Sequence, residues 1–152
     1  MKLEIVTHCW RYAPQLTYQL SSLVLFPPRR VGVTATIFYC EEDAATVAVL
    51  RFFERISSDS IRWNLQPLAR HRLFRRSIGR DLAAQHTEAD WIWFTDADYC
   101  FREPCFDTLA EQVRALDATL VYPRSIMISA NLATGDACLD AVAVEPRIVD
   151  VN

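Results

Sequence analysis

The sequence predicts an α/β fold in which a mostly parallel sheet is sandwiched by helices. Three observations predict it. Short strand-like runs alternate with longer helix-period segments along the chain, the pattern of a parallel sheet covered on both faces. Hydrophobic residues make up 51% of the 152 positions and only three are Gly, which fits one domain with a sizeable core and excludes a disordered segment. Polar clusters then fall at the carboxyl ends of three of the strands, where open parallel sheets hold their ligands.

In chain order, Leu3 to Thr7 reads as the first strand. Arg11 to Leu25 carries Leu16, Leu20, Leu23 and Val24 on a helical stripe, and Pro27-Pro28 stops it. Val31 to Tyr39 alternates Val31, Val33, Ala35 and Ile37 and is rich in β-branched residues, so it is the second strand. Glu41-Glu42-Asp43 opens the next helix, where acidic side chains suit the positive end of the helix dipole. Its buried face is expected to be Val47, Leu50, Phe53 and Ile56. Ile61 to Leu65 follows as a short third strand, and one helix is expected from Pro67 to Gln85 with Phe74, Ile78 and Leu82 inward. Trp91 to Thr95 is the fourth strand, Phe106, Leu109, Val113 and Leu116 mark a further helix, and Thr119 to Ser129 holds a fifth strand interrupted at Pro123. Beyond Ala130 the periodicity fades, with Thr134-Gly135-Asp136 as a turn.

Charge and cysteine content narrow the class. A net charge of −3 argues against a general nucleic-acid binder. The five cysteines, an odd number without a C-x-x-C pair, read as small buried hydrophobes in a reducing compartment rather than a disulfide framework or zinc site. Glu4 interrupts the apolar start, so a strand accounts for it better than a signal peptide, and no apolar stretch reaches the roughly 20 residues that span a bilayer. The expected setting is therefore the cytoplasm, including the inner face of a membrane for a peripheral protein.

The candidate chemistry lies in Asp96-Ala97-Asp98. Two carboxylates one residue apart, at the end of the apolar run Trp91-Ile92-Trp93-Phe94, make an oxygen-rich corner suited to a hard divalent ion, Mn²⁺ or Mg²⁺, and through it to a diphosphate. D-x-D alone recurs by chance; its weight comes from His8-Cys9-Trp10 and Glu41-Glu42-Asp43, which the alternation puts at the same sheet end. Each also has a structural reading: a capped turn for the Asp pair, helix-terminal charge for the acidic run, a hydrogen-bonded histidine for His8. Arg72, Arg76 and Arg80, spaced i, i+4, lie roughly opposite the Phe74, Ile78, Leu82 stripe, as a solvated face would. The four Trp read as core, with Trp10 placed where it can line a ligand site.

Phe74-Arg75-Arg76-Ser77-Ile78-Gly79-Arg80, followed by Trp91-Ile92-Trp93-Phe94-Thr95-Asp96-Ala97-Asp98, resembles the Ala-Arg-Asn-x-Gly helix and metal motif of GT-A-type glycosyltransferases of the family-2 kind. The resemblance spans roughly Leu3 to Asp107. It implies a single GT-A-like domain over 1–152, with a donor-binding half over about 1–107 and an incomplete acceptor half over 108–152. It implies a metal-dependent enzyme moving a sugar from a UDP- or GDP-sugar to a glycan, lipid or small-molecule acceptor. Asp98 would coordinate the metal on the diphosphate. Asp96 would sit beside it, touching the ribose or the metal through water. Thr7 and His8 would line the nucleotide pocket, Glu42 or Asp43 would contact base or ribose, and Arg76 would lie near base or diphosphate. Ser77 stands where the family has Asn. A growing negative charge on the leaving diphosphate needs a Lewis acid, and the acceptor hydroxyl needs a general base. Asp136 is the candidate for that base, ahead of Asp140, Glu145 and Asp150.

Three rivals compare less well or equally. A nucleotidyltransferase would carry a Gly-rich loop after the first strand, and His8-Cys9-Trp10-Arg11 has no Gly. A phosphatase of the haloacid-dehalogenase kind would carry Asp-x-Asp on its first strand and a Lys downstream, whereas Lys2 is the only Lys here. A non-catalytic or fragmentary nucleotide-binding module that keeps the GT-A fold fits the same residues and is the alternative.

Overall fold

The structure, a computed structural model, describes residues 1–123, 126–127 and 145–151. Its elements are β1 (Lys2–Cys9), α1 (Ala13–Leu25), β2 (Gly32–Tyr39), α2 (Ala44–Glu54), β3 (Ile61–Pro67), α3 (Arg70–Leu73), α4 (Arg76–His86), β4 (Trp91–Phe94) and α5 (Cys105–Arg114). The α/β alternation read from the sequence is present, and the sheet is wholly parallel in the order β3-β2-β1-β4. Leu3 of β1 lies opposite Val33 of β2 on one side and Trp91 of β4 on the other. The chain therefore steps outward from β1 to β2 to β3, then returns across β1 to place β4.

Period-two alternation along β1 divides the interior in two. Leu3, Ile5 and Cys9 point into the larger cluster with Val33, Ala35 and Ile37 of β2. This face is covered by Leu16, Leu20 and Leu23 of α1, Val49, Leu50 and Phe53 of α2, and Phe106 and Ala110 of α5. Each of the three α1 leucines is at most 1% exposed, a burial that stabilises by about 1.5–3 kcal/mol apiece. The opposite face holds a smaller cluster of Val6, Phe38, Cys40, Leu73 and Ala83 under α3 and α4. Buried Glu4 on that face accepts hydrogen bonds from Thr36 Oγ1 at 2.6 Å and from Thr87 Oγ1, so the carboxylate ties the end of α4 to the sheet.

Helix α1 is buried beyond its leucine stripe. Thr17, Gln19, Ser21 and Ser22 are all buried, and each hydroxyl or amide has a partner. Ser22 Oγ accepts from the Phe101 amide at 2.9 Å, and Ser21 Oγ from the Val149 amide at 3.0 Å. The chain after β4 and the segment at Val149 are thus both tied to α1.

Five expectations are corrected. The single helix over 67–85 is two: Arg75 leaves helical geometry (φ −92°, ψ 78°), separating α3 from α4. Phe74 is 62% exposed and α4 turns Gly79 and Ala83 inward instead, because the rings of His8 and Phe38 already fill the space above the sheet. Among the described residues of the expected fifth strand, 119–123 and 126–127, there is no strand. Cys9 and Cys40 are buried hydrophobes as expected, but Cys105 is half-buried and Cys100 exposed. The four Trp are half-buried rather than full core. Asp136 and Asp140 lie outside the described residues.

Candidate functional site

β1 and β4 are the neighbours between which the strand order reverses, and their carboxyl ends frame a cavity of about 320 Å³. That volume is at the lower end of the range for ligand sites, about 300–1,000 Å³. The walls are His8, Cys9, Trp10 and Tyr12 after β1, Asp96, Ala97 and Asp98 after β4, and Leu73, Phe74 and Arg76 from the α3–α4 corner. The place follows from topology: loops diverge on either side of a reversal and leave a crevice.

The Asp96 turn is held from beneath. The Thr95 amide donates to the Val6 carbonyl at 3.0 Å, which prolongs the β1–β4 ladder by one bond. The Asp96 carbonyl then accepts from the Tyr99 amide at 3.3 Å and from Gln19 Nε2 at 2.7 Å. Gln19 is 2% exposed, and its Oε1 accepts from Thr7 Oγ1 at 3.0 Å. Thr7 therefore does not line the cavity: its side chain points to the α1 face, and the Thr7–Gln19 pair braces the backbone that carries the two carboxylates.

Asp96 and Asp98 are both exposed on the cavity wall. Arg76, the first residue of α4, donates from Nη1 to Asp96 Oδ1 at 2.7 Å. The expected solvated arginine face is therefore only partly seen. Arg76 reaches into the cavity, and Arg80, half-buried, lies over the Phe94 ring at 5.5 Å.

His8 stacks on Phe38 with ring centroids 5.1 Å apart, and its buried Nε2 has no hydrogen-bond partner among the described residues. Burial, followed by the positive charges of Arg80 and Arg76, pushes its pKa down to about 4, so the imidazole is neutral at pH 7. It has room only because residue 79 is Gly: a Cβ there would meet His8 Nε2 at 2.2 Å. Cys9 also lines the cavity, but burial pushes its thiol up to about 11, which leaves no thiolate nucleophile at neutral pH.

Glu42 and Asp43 do not line this cavity. Glu42 is exposed, 3.8 Å from Arg70. Asp43 is the N-cap of α2 and accepts from the Thr46 amide, from Thr46 Oγ1 at 2.6 Å and from the Arg11 amide at 2.5 Å. Arg11 has φ 54°, a left-handed conformation that a non-glycine residue adopts at some energetic cost. Asp43 thereby pins the turn that presents Trp10 and Tyr12, and the acidic cluster shapes the cavity wall through another segment.

Asp96 and Asp98 suit a divalent ion in one specific sense. Mg²⁺ is commonly held by one or two carboxylates together with substrate phosphates and water. Among the described residues no group of three or more His, Cys, Asp and Glu converges, so an ion here would draw its other ligands from substrate and solvent.

Fold and cleft together define an α/β domain with an all-parallel, Rossmann-like sheet and a carboxylate- and arginine-lined cavity at its topological reversal. No family model and no curated protein matches this chain.

Proposed function

We propose that this chain is a GT-A-type donor-binding domain of a sugar-transfer enzyme. It takes a nucleoside-diphosphate sugar, UDP- or GDP-linked, together with Mn²⁺ or Mg²⁺, and passes the sugar to a glycan, lipid or small-molecule acceptor in a reducing, cytoplasmic setting. One observation carries the reading: two carboxylates and an arginine share a cavity at the β1–β4 reversal, the position at which parallel sheets bind nucleotides. A divalent ion on Asp96 and Asp98 would supply the Lewis acidity that a departing diphosphate needs. Arg76, now on Asp96, is within reach of the same charge. Trp10, Tyr12 and Phe74 give the cavity apolar walls for a base or a sugar ring.

The test is calorimetric titration of UDP and GDP into the protein with and without Mn²⁺, beside Asp98→Asn. Metal-dependent binding that the substitution abolishes supports the donor site. A folded protein that binds neither nucleotide with Mn²⁺ present overturns it.

A further inference from the structure

Five of the sixteen basic residues, Arg70, Arg72, Arg75, Arg76 and Arg80, fall in the eleven positions 70–80, with no acidic residue among them, in a chain whose net charge is −3. The fold turns this run into a projecting knuckle. Helix α3 is four residues long and buries one of them, Leu73, 3% exposed, in the smaller core. Around Leu73, residues 69–72 and 74–77 are all exposed. Arg72 and Arg75 have no ion partner among the described residues, whereas Arg70 has Glu42 and Arg76 has Asp96. Between the two unpaired arginines stands Phe74, 62% exposed, its ring edge-on to Trp10 at 5.8 Å.

We infer that this knuckle is a docking surface for an anionic lipid bilayer. A flat, negatively charged sheet of headgroups can engage the projecting arginines and the ring between them without covering the rest of an acidic chain, which a long polyanion wrapped over the protein would not. Unpaired arginines supply attraction to the headgroups, and an exposed aromatic ring between them suits the boundary of headgroup and acyl chain. Phe74 and Arg76 also line the cavity, so docking holds that cavity beside the bilayer surface. If the donor reading of that cavity holds, its acceptor is lipid-borne; the docking itself does not rest on that reading.

The experiment is co-sedimentation of the full chain with vesicles of phosphatidylcholine, alone or with about one third phosphatidylglycerol, at low and physiological salt. The chain should pellet with the anionic vesicles only, and less as salt rises. Arg72→Gln with Arg75→Gln should weaken binding roughly thirtyfold, given the contribution of each basic residue at a charged surface. Phe74→Ser should weaken it at every salt concentration. Arg51→Gln with Arg55→Gln, a pair of exposed arginines at the end of α2, should leave binding unchanged. Failure to pellet with anionic vesicles at low salt overturns the inference, as does equal loss in the two arginine pairs. Equally tight binding to a short single-stranded DNA would overturn it in favour of a nucleic acid. Nucleotide titration of the same preparations is read separately, so loss of the donor site and loss of docking are distinguishable.

Discussion

Gly79→Ala is the sharpest test of how the cavity floor is built. Alanine in mid-helix is ordinarily an improvement on glycine by about 1 kcal/mol. Here its Cβ would stand 2.2 Å from His8 Nε2 and 2.9 Å from Phe38 Cδ2. Neither ring can simply yield, because the two are stacked on one another over β1 and β2. Either α4 lifts from the sheet, or both rings leave their positions. Overpacking of this kind costs about 1–3 kcal/mol, which outweighs or at least cancels the propensity gain. The expected net effect lies between none and a destabilisation of about 2 kcal/mol, where a free site would gain, read from urea midpoints at unchanged slope. A thermal melt should move down by about 2–4 °C per kcal/mol in a domain of this size. In a His8→Ala background most of the clash is gone, so the same substitution should return toward its propensity gain. The coupling between the two positions should then be about 1–3 kcal/mol. A Gly79→Ala protein more stable than wild type by the full propensity gain would refute the close approach, and with it the account of why residue 79 is glycine.

Gln19→Leu removes one of the two amide donors to the Asp96 carbonyl and the acceptor for Thr7, leaving the buried Thr7 hydroxyl without that partner. It should lower stability by about 1–3 kcal/mol in urea and weaken metal-dependent UDP or GDP binding through the displaced Asp96 turn. Asp43→Ala removes the α2 cap and the anchor of the Arg11 amide, an expected loss of about 2–3 kcal/mol, while Asp43→Asn, which can still accept, should recover about half. The pH dependence follows from His8, whose folded pKa lies below its ordinary value. The unfolded chain binds its proton near 6.5 and the folded chain only near 4, so the stabilisation is full above pH 6.5 and is lost as pH falls toward 4. The interval corresponds to about 3 kcal/mol, and the partial exposure of the ring reduces this to about 2 kcal/mol. His8→Asn should shrink the difference in urea stability between pH 7 and pH 4 by about that amount, and an unchanged difference would argue against a buried neutral imidazole.

Strands and helices with a clean period were legible in the sequence, as was the corner they build. β1, β2 and β4 begin and end within two residues of where the β-branched and aromatic runs place them, and the reversal beside β1 brings His8 and Asp96 to one cavity. What was not legible depended on who the neighbours are. The stripe of Phe74, Ile78 and Leu82 has good helical spacing, yet the sheet under α4 accepts only Gly79 and Ala83, because the His8 and Phe38 rings stand there. Asp43 reads equally well as a ligand contact or a cap, and only the Arg11 amide, 32 positions away in sequence, decides between them. Gln19 was missed although a signal existed. From Tyr12 to Pro28 there is no charged residue, so that helix has no solvent face, and the polar side chains within it must find partners inside the protein.

The strand order also has a consequence for assembly. β1 is made first and is the middle of the sheet, but β4 is short, pairs along only half of β1, and arrives some 90 residues later in the chain. β1, β2 and β3 can align through nearer crossovers, whereas the last seam closes the longest loop and gains the fewest bonds. His8 and Asp96 stand on opposite sides of that seam. The cavity is therefore expected to be completed late in folding, and an opening fluctuation at β4 would erase it while the other three strands remain paired. Amide exchange should find Ile92 to Thr95 less protected than Thr34 to Phe38, and a ligand that bridges the seam should slow exchange most at β4.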